Sequence, residues 1–112
     1  MNKAAITTHI LDLDTGRPAE AVQVFLFATP SPAPMASALT DSDGRVLQWD
    51  TLIDLHPGVY RLRFSVGNWF MQQGRSVFYP EINISFNVTD ISQHYHVPLL
   101  LNAHGYSTYR GS

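Results

Sequence analysis

The chain has 112 residues, 14% of them charged, a formal net charge of −2 and no cysteine. That length fits one domain, 1–112, with a core that buries about 65% of the unfolded surface. The near-neutral charge excludes a nucleic-acid footprint and a polybasic membrane patch, the missing thiols exclude disulfides and thiolate metal sites, and no apolar run approaches the ~20 residues of a membrane span. Met1-Asn2-Lys3 leads straight into a strand pattern, which leaves no room for a signal peptide and points to the cytoplasm. Low charge beside 45% apolar residues points to surface covered by self-association.

The elements follow in order. Ala5 to Leu11 alternates, with Ile6, Thr8 and Ile10 on one face and Thr7, His9 and Leu11 on the other, which predicts a strand. Asp14 to Pro18 is a turn, and Val22 to Phe27 a second strand. Thr29 to Pro34 carries three of the seven prolines and must be loop. Met35 to Leu39 reads as a short edge strand. Asp43-Gly44 marks a tight turn, with Arg45 directly after it and a strand over Val46 to Trp49. Val59 to Val66 alternates as a half-exposed strand. Asn68 to Gly74 is the one helical candidate, with Asn68 as its cap and Gly74 as its left-handed end. Glu81 to Val88 is another strand. Short strands at this spacing predict a mostly β, two-sheet sandwich of seven or eight strands with one short helix.

The last nineteen residues carry the most information. On the strand that ends at Leu101, Tyr95, Val97, Leu99 and Leu101 form the core face. His94, His96, Pro98 and Leu100 share the other. A strand apolar on both faces packs against two partners, so the second face meets another subunit or lines a cleft. Asn102 to Gly105 turns the chain into a last strand that runs on to Tyr109-Arg110-Gly111-Ser112.

His9-Ile10-Leu11-Asp12, Gly16-Arg17-Pro18-Ala19 and Val22-Gln23-Val24 resemble the transthyretin family. Tyr95-His96-Val97-Pro98-Leu99-Leu100-Leu101, Gly105-Tyr106-Ser107-Thr108 and the closing Tyr-Arg-Gly-Ser strengthen the likeness, which covers nearly the whole chain. Within the family the chain is similar to the 5-hydroxyisourate hydrolases. The hormone carriers have lysine at the place of His9, an acidic residue at Arg45 and threonine at His96, and they lack the closing tetrapeptide. One stretch departs from the family pattern. Asn102-Ala103-His104 stands where serine, proline or glutamine, and an aromatic residue are usual, which touches the last turn and not the catalytic positions.

The resemblance implies a transthyretin-like sandwich assembled as a homotetramer, a dimer of dimers with sites at the subunit interface. It implies no cofactor and no metal. If the first and last strands are neighbours, His9, His96 and Tyr109 converge on the face away from the core. Opening a cyclic amide with water requires a base, a donor for the developing oxyanion and a platform for the planar substrate. Histidine, with an ordinary pKa of about 6.5, suits the base, and the arginine fork suits an amide or ureide edge. The implied catalytic set is His9, Arg45, His96 and Ser112. The implied substrate-binding set is Arg45, Tyr109, Arg110, Gly111 and Ser112. Taken singly, either histidine reads as a hydrogen-bonded structural residue, and Arg45 or Arg110 as a solvated charge.

Three further readings compete with hydrolysis. His94 and His96, two apart on one strand face, could hold a divalent ion, though with a thin ligand set. The tetramer channel could carry a small ligand without reaction. A display module would bring linkers, a secretion signal or cysteines. His9, Arg45, His96 and the terminal tetrapeptide supply charge and proton transfer that a carrier does not need.

Overall fold

The computed structural model describes residues 3–112. Met1 and Asn2, read above as the lead into the first strand, lie outside the described residues. In chain order the elements are β1 (Ile6–Asp12), β2 (Arg17–Pro18), β3 (Gln23–Ala28), β4 (Ala36–Leu39), β5 (Arg45–Val46), β6 (Gly58–Phe64), α1 (Val66–Gln72), β7 (Ile82–Val88), β8 (Tyr95–Asn102) and β9 (Gly105–Thr108). One sheet runs β2-β1-β8-β9, with β5 also on β1; the other runs β4-β3-β6-β7. Their inner faces share one core: Ile6 and Ile10 with Tyr95, Val97, Leu99 and Leu101 from the first sheet, and Val24, Leu26, Leu62, Phe64 and Ile82 from the second. The alternation read from the sequence therefore has the correct phase in each long strand.

The registers decide which outward residues meet. β1 and β8 run parallel, with Thr7 opposite His96, His9 opposite Pro98 and Leu11 opposite Leu100. β5 lies antiparallel on the other side of β1 and sets Arg45 opposite His9. β9 returns along β8, and Gly111 forms an isolated bridge to His96 in the same register.

Three local expectations need correction. There are nine strands among the described residues, not seven or eight, because Arg17–Pro18 pairs with Asp12 and Leu11 at the tip of β1. The strand expected over Val46 to Trp49 stops at Val46. There the buried Trp49 indole, not a backbone amide, donates to the Ile6 carbonyl at 2.9 Å. The helix begins two residues before Asn68, which lies inside its first turn; Ser65 precedes the helix and makes no side-chain cap. Burial overrides the cap signal here. Val66 and Phe70, four apart and both fully buried, form the helix's inner face. Gly67 lets that turn sit on Pro80, whose carbonyl accepts the Gly67 amide at 2.9 Å. Gly74, at φ +68°, ends the helix as expected.

Arg75 fastens this end of the helix to the first sheet. Its guanidinium donates to both Asp12 carboxylate oxygens at 2.9 and 3.2 Å and to Asp14 at 3.3 Å, and it covers the Phe70 ring. The unusual last turn is also tied down: the Asn102 side chain accepts the His104 amide at 2.9 Å, and Asp14 accepts the Ala103 amide at 3.1 Å.

Candidate active site

The outward face of the β5-β1-β8 strip holds the chemistry. Arg45 reaches it because the preceding turn is pinned to β1. Asp41 accepts the Asp43 and Arg45 amides through its carboxylate at 2.9 and 3.0 Å, and its backbone brackets Gly44 and Arg45. Gly44 sits at φ +75° with its carbonyl accepting the Ile10 amide at 2.8 Å. A Cβ there would lie 2.5 Å from the Ile10 carbonyl oxygen, so only glycine lets the turn press this close. The result is an arginine beside a histidine in register.

His96 is positioned from two sides. On β1, Thr7 Oγ1 lies 2.7 Å from His96 Nδ1 and also 3.0 Å from His94 Nε2. The two imidazoles lean together with centroids 6.3 Å apart. On the other side runs the C-terminal segment, with the Gly111 amide donating to the His96 carbonyl at 2.8 Å. A Cβ on Gly111 would strike the His96 ring and come within 3.1 Å of Pro98 Cγ. Glycine is needed here for close approach, not for turning.

The electrostatics favour free bases. Burial and then the Arg45 charge hold His9 below its ordinary value of 6.5, against an opposing hydrogen bond to the Asp43 backbone and the Asp41 and Asp43 charges. Burial, then Arg45, His94, His9 and Lys3, lower His96 in the same direction. Both rings are therefore biased toward the neutral form, with a fixed cation beside them. A neutral imidazole can take a proton from water, and the guanidinium can polarise a carbonyl.

The structure brings His9, Arg45, His96 and Gly111 together. Tyr109 lies past β9 and is 59% exposed. Ser112 follows the Gly111 bridge as the next residue. Arg110 bonds neither imidazole ring, but it lies beside His94 and His96, sharing a cleft with His96 and reaching the His94 backbone. Its guanidinium stacks over the Tyr95 ring, 4.6 Å from the centroid, and donates to the Gln93 side chain and the His94 carbonyl. It lines a cleft of about 290 Å³ together with His96, Ile84, Phe86, Tyr95 and Tyr109, at the open edges of both sheets. Thr7 is the site neighbour that sequence reasoning passed over, although it shares β1's outward parity with His9. Among the described residues no three histidine, cysteine or carboxylate groups come together as a metal-ligand set.

Residues 6–111 match the HIUase/Transthyretin family. The chain belongs to that family. Among the relatives of this HIUase/transthyretin chain, the 5-hydroxyisourate hydrolase of Salmonella dublin is 40% identical over 96% of this chain and 80% of its own length. The solved 5-hydroxyisourate hydrolase of Klebsiella pneumoniae superposes with a TM-score of 0.84 at 36% identity, covering 96% of this chain and 98% of that one. Sea bream transthyretin, solved in complex with thyroxine, superposes with a TM-score of 0.87 at 25% identity, covering 96% and 95%. The hydrolase and the thyroxine-bound transthyretin thus superpose on this chain about equally well.

Proposed function

We propose that the chain hydrolyses 5-hydroxyisourate, opening its cyclic amide to 2-oxo-4-hydroxy-4-carboxy-5-ureidoimidazoline in urate breakdown. The observation that carries this is the outward cluster of Arg45 set in register with His9 beside His96, whose ring sits on Thr7 of the same strand as His9. The substrate class comes from the relatives named above. His9 and His96 hold and deprotonate a water. Its oxygen attacks the ring carbonyl, and the Arg45 guanidinium meets the oxyanion that forms. When the C–N bond breaks, the histidine returns the proton to the leaving nitrogen, and the carbonyl carbon leaves as a carboxylate. Tyr109, Arg110, Gly111 and Ser112 wall the substrate pocket, with Ser112 also serving the reacting water. In this chain Arg110 anchors that segment through Gln93, His94 and Tyr95.

The same reading takes the working form as a homotetramer, a dimer of dimers with its sites where copies face each other. β7 and β9 are the outer strands of their sheets, and unpaired edges favour pairing with a second copy. Among the described residues no helix is long and apolar enough to cross a membrane. A cytoplasmic reaction suits a chain without cysteine.

The test is the ultraviolet decay of 5-hydroxyisourate freshly made from urate by a urate oxidase. The native chain should speed the decay well above the spontaneous rate, and a folded His96→Ala form should not. Spontaneous decay with both would end the hydrolase reading and leave a small-ligand carrier.

A further inference from the structure

We propose that Thr7 and His94 are positioning residues for His96. The three side chains form a hydrogen-bond chain that sets the tautomer of His96 and passes the proton it gains out to solvent. The proposal rests on the hydrolytic reading above.

The argument starts from a count of hydrogens. The Thr7 hydroxyl lies within hydrogen-bond distance of two ring nitrogens, His94 Nε2 at 3.0 Å and His96 Nδ1 at 2.7 Å. It owns one hydrogen, so it donates to one ring and must accept from the other. Two arrangements satisfy the trio. In the first, Thr7 donates to His94, the His96 Nδ1–H donates to Thr7, and His96 Nε2 is left bare as a base. In the second, His94 Nε2–H donates to Thr7, Thr7 donates to His96 Nδ1, and His96 Nε2 carries a hydrogen as an acid.

One proton links the two. Once the first water proton has gone back to the leaving nitrogen, the second, arriving on His96 Nε2 from the newly formed carboxylic acid, releases the Nδ1 proton to the Thr7 oxygen. The Thr7 hydrogen passes to His94 Nε2, and His94 sheds its own Nδ1 proton to solvent. One proton enters and one leaves, and every heavy atom stays in place. The three members are suited to this. Thr7 is buried, so its hydroxyl has no competing water, while His94 is exposed and gives the exit. The charges bearing on the rings come from Lys3, Arg45 and His9, which disfavour a resting extra proton. The opened ring carries a carboxylate and a ureido nitrogen too weakly basic to hold an extra proton, so one proton per turnover must leave and an exit is chemically required.

The experiment uses the full chain with ¹⁵N-labelled histidine rings, in native, Thr7→Val, Thr7→Ser and His94→Phe forms. Ring nitrogen shifts read the His96 tautomer directly, and the decay assay reads kcat and KM. Thr7→Val should redistribute the His96 tautomers and lower kcat on the order of tenfold with KM nearly constant, and Thr7→Ser should restore both. Native shifts and native kcat in Thr7→Val would overturn the proposal. If Thr7→Val does not fold, His94→Phe decides at an exposed position. A lowered kcat rescued by added imidazole buffer supports the exit, and an unchanged kcat removes it. A native chain with no hydrolase activity would end the reaction reading separately, since the tautomer shifts are read without turnover.

Discussion

Gly111→Ala is the sharpest test of how the chain end serves the site. The added methyl would lie 3.2 Å from His96 Cγ, 3.1 Å from Pro98 Cγ and closer still to His96 Cδ2. Carbon atoms rest at about 3.5–4.0 Å, so something must give by on the order of 1 Å. Pro98 is buried within β8 and cannot yield, which leaves the imidazole or the terminal segment. If the ring moves, a base displaced by about 1 Å loses roughly 10²-fold in rate. If the segment peels away instead, the Gly111–His96 backbone hydrogen bond is lost, worth about 0.5–1.5 kcal/mol. For a chain of this size that lowers Tm by roughly 4–8 °C per kcal/mol. The expected result is a turnover loss of about 10²-fold with a Tm drop of no more than about 10 °C, read by substrate decay and a circular-dichroism melt. Native turnover in Gly111→Ala would refute the close-approach argument outright.

Other consequences can be checked alongside it. His9→Ala, Arg45→Ala and His96→Ala should each cut kcat/KM by about 10²-fold or more while the melts stay cooperative; a fully active variant removes that residue from the mechanism. The pH profile follows from histidines held below 6.5. Their free bases persist as pH falls past the ordinary value, so the acid limb of kcat/KM should lie below pH 6.5. The unfolded chain binds these protons more readily, so the same window should cost stability as pH falls through it. Arg45→Met should raise both histidine midpoints in an NMR titration, and unmoved midpoints would show that Arg45 is too far away to matter. Arg75→Met leaves the Asp12 carboxylate, 3% exposed, without its cation and should cost about 3 kcal/mol in urea unfolding. Turnover at 25 °C should hold, which separates the clamp from the site. Burial alone would raise the Asp12 carboxyl, but the Arg75 hydrogen bonds, with the Asp14 amide and the Thr15 hydroxyl, bring it below its ordinary 3.8. That contribution is present above pH 3.8 and is lost as the solution is acidified through the folded value.

The long strands were legible because each buries one face, and a period of two cannot be shifted without exposing the core set. The helix start was not, because Asn68 is a good cap by type, while the burial of Val66 and Phe70 decides the boundary. The end of β5 depends on where one indole N–H finds a carbonyl, which no local pattern encodes. At the site, parity placed His9 and His96 on outward faces, but only the family resemblance singled out Arg45, which after an Asp-Gly turn reads alone as a solvated charge. Thr7 was singled out by neither, because a threonine in a β-branched run reads as strand filler. Its meaning comes from the parallel β1–β8 register, which sets it against a residue 89 positions away. Arg110 shows the converse: the tetrapeptide drew attention to its charge, but local packing on Tyr95 decides where that charge goes.

The family backbone is shared by proteins that bind a hormone and proteins that hydrolyse a ring, so backbone agreement carries no choice between them. The choice lies in what one outward sheet face presents. Here β1 and β8 offer two imidazoles biased toward the free base, β5 adds a guanidinium, and a glycine lets the chain end close against one ring without displacing it. Each piece depends on a backbone feature with its own cause: the Gly44 turn for Arg45, the parallel register for His96, and the terminal bridge for Gly111. A carrier needs none of these to be exact, since apolar area tolerates small shifts. A base and an oxyanion donor act only at hydrogen-bond distance. Steric precision that costs a side chain at Gly44 and Gly111 is therefore better explained by proton transfer than by storage.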